Sequence, residues 1–286
     1  SPSQQDTVII ANPDYTIDAA TTQIARQPEQ TDSGSRAVSR RSVDFSTLGA
    51  FAQLEGTDAE RQAIEPLLPN ATVFTEQQAT EDRLKQVSAP YILHIATHGF
   101  FLSDVVPPAL QQPGRNIIIE DAPPDEQLDD PSGQLTPSNL ENPLLRSGLA
   151  LAGANHPDDT LASYGEDGIF TAMEASGLNL QGTQLVVLSA CETGIGSASH
   201  GEGVYGLRRA FNIAGAESQL MSLWKVDDHG TSALMKRYYE NLLTEGDGRS
   251  QALRTVQLEM IETGSYAHPF YWSAFIFSGD WRPLNE

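Results

Sequence analysis

The fold of this chain is constrained most strongly by two near-continuous apolar segments, YILHIATHGFF at 91–101 and QLVVLSACETG at 184–194. Strands of this kind are buried on both faces, which is typical of the centre of a parallel sheet. Strand patterns alternate with helix patterns around them, and a helix at 58–68 is followed by a strand at 71–75. The alternation predicts an α/β fold with a mostly parallel central sheet flanked by helices.

Three further segments predict where particular elements begin and end. Thr57 precedes the helix at 58–68 and Glu60 follows three residues later, which predicts a capping box. The segment LLRSGLALAG at 144–153 predicts a strand near the site. The apolar, aromatic segment PFYWSAFIFSG at 269–279 predicts a final strand that is covered on both faces.

Composition divides the chain into an N-terminal segment, 1–48, and a main domain, 49–286. The N-terminal segment holds one short apolar strand and then a polar stretch with little periodicity, which predicts poor order. The main domain contains an acidic insertion at 103–142, with seven prolines and eight acidic residues, and a loose loop at 155–167. Such a long insertion is either a solvated loop or a lid that faces substrate.

The charge balance excludes several classes of function. The chain has 38 acidic and 17 basic side chains, a formal net charge of −21, which argues against binding to nucleic acid or to an anionic membrane. No apolar run approaches the roughly 20 residues of a membrane helix, and the N-terminus lacks the character of a signal peptide. The chain starts without Met, so we expect a piece of something longer. We expect a cytoplasmic protein, of bacterial origin.

Two reactive side chains stand at the ends of the apolar segments. His98 and Cys191 would emerge at the same edge of a parallel sheet, because sites lie beyond the carboxyl ends of its strands. A thiol with a pKa of about 8.5 needs a nearby imidazole to become a nucleophile at neutral pH. The backbone N–H groups of Gly99 and Cys191 would form an oxyanion hole, each worth about 3–4 kcal/mol. The competing interpretation is an inert cysteine packed in the core.

Five segments, in this order, resemble the CHAT domain, a caspase- and separase-like cysteine peptidase module often fused to tetratricopeptide (TPR) repeats: HIATHGFF, PLLRSGLALAGAN, VVLSACETG, GEGVYGLRRAF and MSLWKVDD. The resemblance covers roughly 50–281. It implies a caspase-hemoglobinase-like fold, a His98/Cys191 dyad and oxyanion contacts at Gly99 and Cys191. The caspase pentapeptide Q-A-C-[RQG]-G is absent, and the His-to-Cys interval is 93 residues instead of roughly 50.

The resemblance also implies a substrate cleft. The strand after the post-cysteine helix would line it with Trp224, Lys225 and Asp227, and Ser189 would form part of the wall around the substrate's P1 side chain. Asp227 and Asp228 would select a basic P1 residue or, alternatively, cap the helix that follows. Trp224 would stack on substrate or belong to the core.

Two motifs are expected to be decoys, so we predict no cofactor and no metal. Residues 201–206 spell G-x-G-x-x-G, but no strand runs directly into the first glycine, as a dinucleotide site requires. His94 and His98 have metal-ligand spacing only on a helix, and this segment is predicted to be a strand. His94 is therefore expected to be a core histidine.

The sequence predicts a cysteine endopeptidase that cleaves protein substrates through an acyl-enzyme thioester. The alternative is a catalytically quiet or latent module, a scaffold for protein recognition until a partner or a TPR domain activates it. The partners expected are a protein substrate and an activating TPR domain or regulatory protein.

Overall fold

The computed structural model describes Ser3 and the ranges 5–17, 49–102, 143–156, 167–192, 202–224 and 227–284. At 143, 190–192 and 202–204 it describes the backbone alone. The predicted acidic insertion at 103–142 and most of the predicted loop at 155–167 lie outside the described residues.

The described ranges contain eight strands and seven α-helices. The strands are β1 (Val8–Pro13), β2 (Thr72–Glu76), β3 (Ile92–Phe101), β4 (Ser147–Ala150), β5 (Ile169–Thr171), β6 (Leu185–Glu192), β7 (Ser218–Ser222) and β8 (Phe275–Gly279). The α-helices are α1 (Glu55–Ile64), α2 (Glu81–Lys85), α3 (Ala172–Ala175), α4 (Glu202–Ala214), α5 (Asp228–Leu243), α6 (Arg249–Thr263) and α7 (Pro269–Trp272).

All of these strands join one mixed sheet. Its main path runs β2-β1-β3-β6-β7-β8. Along this path the pairs β2-β1, β1-β3, β3-β6 and β6-β7 are parallel, and β8 is antiparallel to β7. β4 pairs antiparallel with the end of β3, and β5 pairs antiparallel with β4. The predicted α/β class, with a mostly parallel sheet flanked by helices, is confirmed.

Apolar side chains alternate between the two faces of the central strands. One face of β1, β3 and β6 packs against α2, α3 and α4, with Ile95, Leu188 and Phe211 in that layer. The other face packs against α1, α5 and α6, with Val187 and Tyr238 in that layer. This two-sided burial explains why β3 and β6 are apolar throughout. No helix in the described ranges is both long and apolar enough to cross a bilayer.

Helix α1 begins earlier than the sequence predicts, and the expected capping box is wrong. Leu54 occupies the N-cap, and the hydroxyl of Thr57 donates to the Leu54 carbonyl from inside the first turn. Glu60 lies in the helix body and is only 1% exposed. A capping box does occur in α3, between Thr171 and Glu174.

The last predicted strand is shorter than expected. Pro269 opens the short helix α7, because its fixed φ suits the first turn of a helix, and only Phe275–Gly279 forms a strand. β8 ends the main path of the sheet and is largely half-buried, so the prediction that it is covered on both faces is wrong. The predicted strand at 144–153 is confined to β4.

Candidate active site

Neighbouring strands bring the two predicted catalytic residues side by side. β3 and β6 pair in parallel without a break, from Ile92 opposite Leu185 to Gly99 opposite Glu192. In this register His98 pairs with Cys191 near the carboxyl end of both strands. The side chain of Cys191 is outside the described part, so its approach to His98 stays a prediction.

The imidazole of His98 is anchored on one side. Its Nε2 lies 2.7 Å from the carbonyl oxygen of Ala52, and His98 is only 4% exposed. A carbonyl oxygen accepts but cannot donate, so Nε2 carries a proton in this contact. In the neutral ring the basic nitrogen is therefore Nδ1.

Two aromatic rings pack beside the imidazole of His98, and both are tilted to it. Its ring centroid lies 5.3 Å from that of Tyr15 and 5.6 Å from that of Phe51. Tyr15 is fully buried, and its hydroxyl lies 3.0 Å from Oγ1 of Thr97. The single hydroxyl proton of Thr97 is donated to the Ala150 carbonyl, so Tyr15 is the donor in its own contact.

The segment that carries Phe51 and Ala52 precedes α1 and has no regular secondary structure. The side-chain amide of Asn155 fixes it: the Phe51 N–H donates to Oδ1 at 2.7 Å, and Nδ2 donates to the Phe51 carbonyl at 2.9 Å. The sequence analysis missed these residues, because Phe51 and Asn155 are 104 positions apart. Only the quoted segment PLLRSGLALAGAN, which ends at Asn155, drew attention to this turn.

Gly99 and Ser189 both lie on the central strands. Gly99 pairs with Leu149 on one side and Glu192 on the other, at the point where β4 joins β3. Ser189 is 5% exposed, and its hydroxyl donates to Oε2 of Glu60 at 2.8 Å. The Ser189 hydroxyl is thus bonded inside the molecule, and Ser189 pairs with Ala96 within the sheet. Both assignments stay predictions.

Glu60 connects a buried polar cluster beneath this edge of the sheet. Its Oε1 lies 3.1 Å from Nε2 of His94, and Nδ1 of His94 lies 3.1 Å from the hydroxyl of Tyr239. Burial, with the charges of Tyr238 and Glu60 adding to it, raises the pKa of Tyr239 well above its usual value. The expectation that His94 is a core histidine is confirmed.

The predicted cleft residues after β7 lie in different surroundings. Trp224 is half-buried and packs against the core layer of α1, α5 and α6. Lys225 is outside the described residues. Asp227 is the N-cap of α5, and its Oδ1 accepts the N–H of Gly230 at 2.9 Å. The helix-capping interpretation of Asp227 is confirmed, and contact of these residues with substrate stays a prediction.

Two observations concern the motifs that the sequence analysis expects to be decoys. Within them, no group of three or more His, Cys, Asp or Glu side chains is arranged to hold a metal ion. Residues 202–206 of the G-x-G-x-x-G segment lie inside α4, which begins at Glu202, so they do not form a loop before a helix.

The mostly parallel sheet flanked by helices, in which His98 pairs with Cys191, is consistent with an α/β domain of the caspase-like class. The model of the CHAT domain family matches residues 1–280, and the chain belongs to this family. The family belongs to a clan of cysteine peptidase-like proteins. The match includes β1, which lies N-terminal to the region covered by the resemblance described above.

Two curated proteins are similar over part of the chain. Tetratricopeptide repeat protein 28 from Homo sapiens is 32% identical over 118 residues, and its Mus musculus counterpart is 30% identical over the same length. The aligned region is 41% of this chain and 5% of each relative. The chain therefore spans only a small part of these relatives, and they fit the expected association of CHAT domains with TPR repeats. Since both are mammalian, a bacterial origin stays a prediction.

Proposed function

We propose that this chain is a cysteine endopeptidase in which His98 and Cys191 form the catalytic dyad. The observation that carries the proposal is the pairing of His98 with Cys191, combined with the anchoring of His98 Nε2 on the Ala52 carbonyl. A histidine whose Nε2 carries a proton presents Nδ1 as a base, which is what a thiol nucleophile requires.

The dyad would act in two steps. Nδ1 of His98 takes the proton of Cys191 Sγ, and the thiolate attacks the carbonyl carbon of the scissile peptide. The backbone N–H groups of Gly99 and Cys191 stabilise the oxyanion. The leaving amine takes the proton from His98 as the C–N bond breaks, which leaves a thioester. Water, deprotonated by His98, then hydrolyses the thioester and restores the thiol.

The burial of His98 favours a second candidate, a latent module. With only 4% of its surface exposed, His98 offers little room to a polypeptide substrate. The named relatives are TPR proteins, which supports an activating TPR domain or regulatory protein as partner and protein recognition as a role of the inactive state. Protein substrates and a cytoplasmic location belong to the same proposal.

The test is the pH dependence of Cys191 alkylation by iodoacetamide. Because the chain has one cysteine, every adduct reports this thiol, and no substrate need be known. We expect reactivity well below pH 8.5, roughly the pKa of a free thiol, and its loss in His98→Ala. His229→Ala, an exposed histidine in the first turn of α5, is the matched control and should behave as the native chain. Titration near 8.5 in all three proteins would reject the dyad in this chain.

A further inference from the structure

We propose that Asn155 is a positioning residue of the candidate active site, which holds the Ala52 carbonyl on His98 and so selects the tautomer of His98. The inference rests on the proposed function, since it explains how Nδ1 of His98 is kept basic. Asn155 does not contact the imidazole itself; it acts through the backbone of Phe51 and Ala52.

Asn155 makes hydrogen bonds to the backbone of both aromatic residues whose rings lie beside His98. Its side chain accepts from and donates to the backbone of Phe51, at 2.7 and 2.9 Å. Its own backbone N–H donates to the carbonyl of Tyr15 at 2.9 Å. One residue therefore ties together the segment after β1, which carries Tyr15, and the segment before α1, which carries Phe51 and Ala52.

The side-chain amide replaces a missing strand partner. Residues 49–54 belong to no helix or strand, so the Phe51 N–H and carbonyl have no ladder to join. A carboxamide offers one acceptor and one donor side by side, which matches these two groups. On the other side of Ala52, Nε2 of Gln53 donates to the Pro13 carbonyl at 3.1 Å. Ala52 thus lies between two anchored residues, Phe51 and Gln53. Asn155 bonds both the N–H and the carbonyl of Phe51, whereas Gln53 makes its contact through its own side chain.

The tautomer of His98 depends on this anchor. When the Ala52 carbonyl stays 2.7 Å from Nε2, the neutral ring keeps its proton there. If the segment moves, Nε2 loses its acceptor and the proton is free to transfer to Nδ1. A ring protonated at Nδ1 cannot accept the thiol proton of Cys191 at that atom, so the thiolate fraction falls.

The experiment compares Asn155→Asp and Asn155→Ala with the native chain by two measurements. The ¹⁵N spectrum of the labelled histidines, with His98 assigned by its loss in His98→Ala, reports which ring nitrogen is protonated. The rate of Cys191 alkylation near pH 6.5 reports the thiolate. Asn155→Asp keeps the shape of the side chain and loses the donor. Asn179→Ala is the matched control, because it removes another asparagine amide, one that donates to Ser88 Oγ.

We expect the native chain and Asn179→Ala to show Nδ1 as the unprotonated nitrogen of His98. In both Asn155 variants, population of the Nδ1–H tautomer should appear and alkylation should slow about tenfold, the effect of losing roughly one well-made hydrogen bond. If a folded Asn155→Asp keeps the native tautomer and rate, the proposal is overturned. Equal changes in Asn179→Ala would also overturn it, because they would reflect general destabilisation. If alkylation of the native chain does not depend on His98, the proposed dyad fails, whereas the ¹⁵N comparison still decides the role of Asn155.

Discussion

Gly168, immediately before β5, combines two constraints that only glycine satisfies. Its φ of +77° lies in the left-handed region, and a Cβ built there would lie 2.3 Å from the backbone nitrogen of Ala154. Gly264, at the end of α6, has a similar φ of +80° but open space around it. Comparing alanine substitutions at Gly264 and Gly168 therefore separates the cost of the left-handed backbone from the cost of the steric clash. The clash is with Ala154, the residue before Asn155.

We predict that Gly264→Ala lowers the free energy of unfolding by about 1 kcal/mol, the cost of the left-handed conformation alone. Gly168→Ala should lower it by about 3 kcal/mol, because the new methyl group must also displace the Ala154 backbone. Urea denaturation of the two variants and the native chain checks this. Equal losses in both variants would show that the turn at Ala154 adapts without cost.

Individual residues differ in how far the sequence predicts them. Asp227 as a helix N-cap and His94 as a core histidine follow from local pattern, because the neighbours in sequence decide the role. Glu60 was assigned to a capping box, and its true partners, Ser189 and His94, are distant in sequence. The four-residue spacing of Glu60 and buried Ile64 places both on one face of α1, a signal that could have revealed the burial of Glu60.

At the scale of elements, Glu60 is the polar link between α1 and the two central strands. Its carboxylate accepts from Ser189 on β6 and lies 3.1 Å from His94 Nε2 on β3. Removing one partner from such a buried cluster leaves the other polar groups without a hydrogen bond, although water satisfies them in the unfolded chain. The consequence should reach β6, since Ser189 is two residues from Cys191.

We predict that Glu60→Ala lowers the free energy of unfolding by about 3 kcal/mol, since it strands the Ser189 hydroxyl and opens a cavity. Glu60→Gln should cost less, because its amide oxygen still accepts from Ser189. Glu55→Ala, which removes an exposed acid from the first turn of the same helix, should change stability by less than about 1 kcal/mol. Thermal and urea unfolding measure all three, and equal effects of Glu60→Ala and Glu55→Ala would contradict the structural role of Glu60.

The elements with two-sided apolar patterns are the ones that the sequence predicts best. β3 and β6 follow from continuous apolar runs. The strand predicted at 144–153 is confined to β4, and the segment predicted as one strand at 269–279 forms α7 and β8, because apolar residues near a sheet edge suit a strand or a helix about equally well. Pro269 determines that α7 is a helix, and pairing with β3 determines where β4 begins and ends. A pairing partner cannot be recognised from the local sequence.

At the scale of the whole molecule, the net charge of −21 opposes the compact state. The surface ion pairs, such as Arg237 with Glu259, are each worth at most about 1 kcal/mol. The side chain of Arg282 holds the pKa of Asp280 well below its usual range, so this carboxylate stays charged in mildly acidic solution. Self-repulsion should therefore outweigh the few local attractions.

We predict that the melting temperature at pH 7 rises as NaCl increases from about 10 to 150 mM, because the screening length falls from roughly 30 to 8 Å. The same titration close to the sequence pI of 4.5 is the control and should have little effect, since the net charge is then near zero. Scanning calorimetry measures both series. A melting temperature that falls with salt at pH 7 would mean that local ion pairs dominate.

The candidate site illustrates what the sequence could and could not predict for the molecule as a whole. The placement of His98 and Cys191 near the carboxyl ends of β3 and β6 follows from two local apolar patterns, and the pairing of these strands brings the two residues together. The enclosure of His98 depends on Tyr15, Phe51 and Asn155, which come from three separate turns. No periodicity links such residues, so only the assembled fold brings them together.

The position of β1 between β2 and β3 has a consequence for synthesis on the ribosome. β1 leaves the exit tunnel first, yet the partner on one of its edges ends at Glu76 and the partner on the other at Phe101. At about 5–20 residues per second, the apolar core Val8–Ala11 waits roughly 3–13 s for the partner on its β2 edge and roughly 4–18 s for the partner on its β3 edge. Asn12, with its φ of +50°, lies at a register shift in the pairing of β1 with β2, and Pro13, which has no N–H to donate, ends β1. Both features disfavour pairing of this strand with other nascent chains.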